Sequence, residues 1–276
     1  MISFVRKFDN FYAMFQRDNL LHQPITSFHS EVELFIDKMK IYVKEHKPLS
    51  LKTLGEYFKL LQSADQTIAK RVVGKQEEKL SSCYLKYSVL FMGLLNNITS
   101  CLFHLGEARL RLQSGLSLLE NSPAEALTWL KPIALKHVEE DSDDVFGEDE
   151  ISDYLIEVGW VWFWVCYTAL AALSDDSMKW EKKRRKAGLF SDFVLEDHQW
   201  EVKEIVEINE GVIEVKSRVE EGKDLRDEVD NLRRKVEVFE SELDSLQKEV
   251  DKLFFGALGV RDRLLDGIRQ SLDTQP

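Results

Sequence analysis

Apolar side chains recur along this chain at intervals of three and four, the spacing that lines one face of an α-helix. Phe4, Phe8, Phe11, Tyr12 and Phe15 predict a short amphipathic segment over 1–24. Its aromatic stripe suits either docking on a core or contact with a membrane or partner. After Pro24, Thr26 and Ser27 open a second helix with Phe28, Val32, Phe35, Ile36, Met39 and Val43 on one face, and Pro48 closes it. Leu51, Leu54, Phe58, Leu61, Ala64 and Ile68 form the stripe of a third, up to a break at Gly74. A fourth helix is expected over 76–120, where Gly93, Gly106 and Gly115 offer bends or close contacts. Ser122, Pro123 and Glu125 form a capping box with proline at the first helical position. A helix carrying Ala126, Leu127, Leu130, Ile133 and Ala134 should start there.

Two compositional breaks follow. Residues 139–153 are mostly acidic and predict an exposed loop. Asp141 and Asp143 alternate as calcium ligands would, but Val145 takes the third ligand position and Ser152 the twelfth, so the EF-hand pattern fails. Residues 158–173 (VGWVWFWVCYTALAAL) then carry no charge. Trp160, Trp162, Phe163 and Trp164 mark this segment as either a buried core helix or a membrane-inserted one, although it is shorter than the roughly 20 residues a spanning helix needs. Lys182, Lys183, Arg184, Arg185 and Lys186 form the one concentrated basic cluster. It suits a solvated face, an anionic lipid surface or a nuclear-import signal.

The most sustained pattern lies over 225–264. Leu225, Val229, Leu232, Val236, Phe239, Leu243, Leu246, Val250, Leu253, Ala257, Val260 and Leu264 alternate at four and three without a miss, as coiled-coil packing requires. In a parallel dimer Glu228 would meet Arg233 and Lys235 would meet Glu240, both complementary. Further on, Glu249 would meet Phe254. The first half therefore offers Leu225, Val229, Leu232, Val236 and Phe239 as interaction residues, for self-association or for packing within the chain. Phe254, Phe255, Gly256 and Gly259 point the second half into the protein's own bundle.

Composition narrows the class. The chain of 276 residues has only 5 prolines and 13 glycines, which favours long helices over a many-turned sheet. A net charge of −12 argues against nucleic-acid binding. Cys83, Cys101 and Cys166 are odd in number and scattered, so a reducing, cytoplasmic setting is expected, and no secretory signal is evident. No phosphate loop, nucleophile elbow or zincin motif occurs. Cys101 and His104 lie one turn apart but do not complete a zinc site. Catalytic residues, cofactors and metals are therefore not expected.

Several segments together resemble the plant BYPASS-like family. They are FHSEVE at 28–33, LSLKTLGEYFKLLQSADQTIAKRVV at 49–73, YLKYSVLFMGLLNNITSCLFHLGEARLRLQSGLSLLENSP at 84–123, ALAALSDDS at 169–177 and ELDSLQKEVDKLFFGALGVRDRLLDGIRQ at 242–270. The resemblance implies a non-enzymatic regulator of development that restrains a mobile root-derived growth inhibitor, with relatives linked to exocyst-associated trafficking and stress signalling. It supplies no catalytic residues. The expected architecture is all-α, an elongated bundle of long antiparallel helices with a coiled-coil-like C-terminal helix. Its parts are the segment 1–24, a helical part 25–138, the loop 139–153 and a helical part 154–276. Protein partners are expected, with membrane association and self-association as further outcomes.

Overall fold

Residues 49–75, 78–139, 153–186 and 201–273 are described by the computed structural model, and among them the chain is all-α, with seven helices and no strand. They belong to one packing unit, Met39–Pro276; the other, Met1–Lys38, lies outside the described residues. So do the N-terminal aromatic stripe, the helix expected after Pro24, and Asp141 and Asp143.

The heptad pattern forms the longest element, α7 (Arg226–Asp273). Every apolar heptad residue from Val229 to Leu264 is buried, against helices of the same chain. Helix α6 (Lys203–Glu221) reaches α7 through a turn in which Gly222 adopts the left-handed conformation (φ 65°) that caps the preceding helix. The two then run antiparallel, with Leu232 against Gly211. Further along, α2 (Glu78–Leu118) lies antiparallel to α7: Arg109 pairs with Glu240 at 3.3 Å and Asp244 at 3.1 Å. Near the other end, Arg261 donates to the carbonyl of Leu85 at 2.8 Å. Helix α1 (Leu51–Lys75) packs on the same seam in the opposite sense. Its N-terminus is capped by Glu204 of α6, which accepts from the Leu51 amide at 3.2 Å.

The charges that a parallel dimer would pair find partners inside the chain. Glu228 binds Arg218 of α6 at 2.6 Å, and Lys235 donates to the carbonyl of Glu207. Arg233 turns to Asp230 one turn away, while Glu240 takes Arg109 and Gln113 of α2.

The capping-box expectation is half met. Helix α3 (Pro123–Trp129) starts at the proline, but Ser122 makes no side-chain cap, and the helix ends well before Ala134. Pro132 is the reason: it lacks an N–H and disfavours helical backbone at the residue before it. The chain instead runs back along α2 as an extended strap. At its start Leu130 fills the space left by Gly115, where a Cβ would lie 2.8 Å from its side chain. The strap pairs with other backbone at one bridge, where the Lys136 carbonyl accepts from the Asp175 amide at 3.1 Å beside Ser174, and side chains satisfy the stretch before it. Asn209 of α6 accepts from the Ile133 amide at 2.6 Å and donates to its carbonyl, and His104 of α2 donates to the Ala134 carbonyl.

Leu246 is fully buried on α7. Replacing it with alanine leaves a cavity in a packed core, and a loss of roughly 2–5 kcal/mol in urea unfolding is expected. A loss of only a few tenths would mean that this face is not packed in the isolated chain.

Candidate functional site

The apolar run 158–173 falls in α4 (Asp153–Leu173), and every residue from Val161 to Leu173 is buried in the protein's own core. A helix that is apolar all round needs cover all round. Helices α2, α1 and α5 (Ser177–Lys186) provide it. Trp162 stacks on Phe91 at 4.6 Å and meets the edge of Tyr84 at 5.9 Å. Phe163 lies against Tyr87, and Trp164 against Tyr57. Trp160 stands in α4, its side chain outside the described part.

The basic cluster is not one surface. Arg184 is buried, gripped in two-pronged fashion by buried Glu181 at 2.7 and 2.9 Å, and its guanidinium lies over Trp164. Arg185 also reaches Glu181, at 2.6 Å. Lys183 lies over the Trp180 ring, and Lys182 faces outward. The side chain of Lys186 is outside the described part. The candidate interaction residues Val229, Leu232, Val236 and Phe239 are likewise buried, with Leu225 half-buried just ahead of α7. Cys101 and His104 do not converge on a shared ligand: Cys101 is buried, its thiol pushed up to about 11 by burial, while His104 serves the strap. No cluster of three or more metal-ligating side chains occurs among the described residues.

Two features that the sequence patterns do not single out remain. The first is a cleft of about 470 Å³ between α1 and α7. Ala69, Val73 and Val260 form its walls, Gly256 leaves it open, and Lys70 and Arg263 stand at its edges. At its base lies Asp65, only 3% exposed. Its Oδ1 accepts a long hydrogen bond from the Tyr84 hydroxyl (3.4 Å), and its Oδ2 lies 3.8 Å from where a side chain at Gly256 would begin. Burial pushes the Asp65 carboxyl up to about 7, and the Tyr84 bond only partly opposes it. Tyr84 itself is raised, by burial first and then by Asp65. The second feature is the outer face of α2, where Val89, Phe103 and Leu110 are 50%, 68% and 56% exposed. They share one heptad line with the exposed Asn96 and Ser117.

No family model, no curated protein and no solved structure matches the chain.

Because the carboxyl of Asp65 holds its proton more tightly in the folded chain, the stability it contributes is complete below about pH 4. It is lost as pH rises to about 7, a fall of roughly 4 kcal/mol. Asp65→Asn should remove that slope, so its advantage over the native chain in urea unfolding grows between pH 4 and pH 8. Parallel pH profiles for the two proteins would contradict the assignment.

Proposed function

We propose that this is a non-enzymatic interaction protein, an all-α scaffold that acts by binding another protein through the outer face of α2. The observation that carries this is the exposure of Phe103 and Leu110, flanked by Val89, on a helix whose other faces are packed. Glu107 and Lys86 are the charged residues among its fully exposed positions from 86 to 117. Exposed aromatic and aliphatic residues on a rigid, weakly charged surface are what protein contacts use. The resemblance to BYPASS-like proteins supports a role in plant development, restraining a mobile root-derived growth inhibitor.

A second reading is a membrane-associated helical adaptor in trafficking or stress signalling. It is favoured by the segment Tyr84–Leu118 of α2, which is long and apolar enough to cross a membrane by length and composition. Insertion would have to strip α2 from α7 and α4, breaking the Arg109 and Arg261 contacts.

Phe103→Asp combined with Leu110→Asp tests the first reading. Both positions are exposed, so unfolding free energy should change by less than about 0.5 kcal/mol. A partner purified from plant tissue with the native chain should be lost from the double variant. Equal recovery, or no partner with either protein, sinks the proposal. Carbonate extraction separates the second reading: the native chain should leave the membrane pellet, and retention would favour the adaptor.

A further inference from the structure

We infer that the cleft between α1 and α7 is a binding site for an amphiphilic acid, a carboxylate carried on an apolar body. The cleft lies away from the outer face of α2, and the inference stands independently of the interaction surface there. Its volume, about 470 Å³, falls within the range of small-molecule pockets, and its walls are the side chains of Ala69, Val73 and Val260. Gly256 is what keeps it open. A Cβ there would meet nothing closer than Asp65 Oδ2 at 3.8 Å, so the space is real and a larger side chain would fill it.

Charge selects the ligand. The charged groups lining the cleft are Lys70 of α1, Arg263 of α7 and Asp65 of α1, and α2 adds the Tyr84 hydroxyl behind Asp65. Two cations at the edges repel an amine and attract an anion. Asp65 looks unfavourable for an anion until its protonation is considered. With burial holding the carboxyl near neutrality, its protonated form donates one hydrogen bond, and a ligand carboxylate is the acceptor that such a donor favours most. Lys70 and Arg263 then neutralise the ligand's charge while the apolar body lies along the walls. A buried acid with a raised pKa in a cleft is a costly arrangement for a fold and a recurrent one for a site.

Titration calorimetry of the full chain with sodium decanoate, below its micelle concentration and at pH 6.5, tests this. Saturable one-to-one binding is expected, with decylamine at least tenfold weaker. Raising the pH to 8.5 should weaken decanoate roughly tenfold or more, as the protonated fraction of Asp65 falls. Asp65→Asn, which keeps a neutral donor, should bind at pH 6.5 and lose that pH dependence. Arg263→Gln should weaken binding several-fold with an unchanged melting temperature. Gly256→Leu should abolish binding, and if it fails to fold the Asp65 and Arg263 variants still decide. Absence of saturable heat, a preference for decylamine, or decanoate affinity indifferent to both Arg263→Gln and pH would overturn the inference.

Discussion

The apolar seam of α7 is the constraint on which the other helices depend. At about 1.5 Å per residue a helix of 48 residues extends about 72 Å, longer than any other described helix of the chain. A seam left open over part of that length would expose valines and leucines worth about 1.5–3 kcal/mol each on burial. Three helices divide the cover between them. Helix α6 shields the first stretch through a tight glycine-capped hairpin, and α2 and α1 shield the rest. The polar edges of the seam follow the same division. Arg218 of α6 answers Glu228, and further along Arg109 and Gln113 of α2 answer Glu240, Arg109 also reaching Asp244.

Helix α4 is a consequence of that arrangement. With α1 and α2 committed to α7 on one side, their remaining apolar faces need cover, and α4 lies against both. Being apolar all round, it needs an outer cover in turn. The short, charged α5 supplies it by turning Trp180 and the Glu181–Arg184 pair inward. Here the basic sequence conceals a core function. A buried ion pair gains little net stability over apolar packing, but removing one partner is expensive, so Glu181 and Arg184 hold α5 in one orientation.

Much of this is legible in the chain because period and burial are linked. The helices on 51–75, 78–118 and 226–273 lie where the three-and-four spacing places them. The pattern cannot say which neighbour covers a heptad face, because g and e charges that suit a dimer suit a hairpin equally well. Helix α6 falls within the expected helical part 154–276 but is not marked there as a separate helix, although Ile205, Ile208, Val212 and Val215 carry the same spacing. The Ser122 box by itself overstates the helix that follows, since Pro132 outweighs a favourable start. Arg184 cannot be told from its basic neighbours by sequence, because inward or outward orientation depends on where Trp164 lies.

Asp65 is hidden for the opposite reason: it occupies an apolar position. Leu51, Leu54, Phe58, Leu61, Asp65, Ile68 and Val72 are all buried at strict three-and-four spacing. Tracing the stripe through Ala64, a residue that is only half-buried, passes over the one charged residue in the line. A polar residue in a heptad seam can serve to fix register, at a cost in stability. That role calls for firm hydrogen bonds on both sides of the group. Asp65 has a single long bond to Tyr84, and its other oxygen faces the opening beside Gly256. An alanine or leucine there would close the seam more stably, so the carboxyl is better explained by what the cleft admits than by what it holds together.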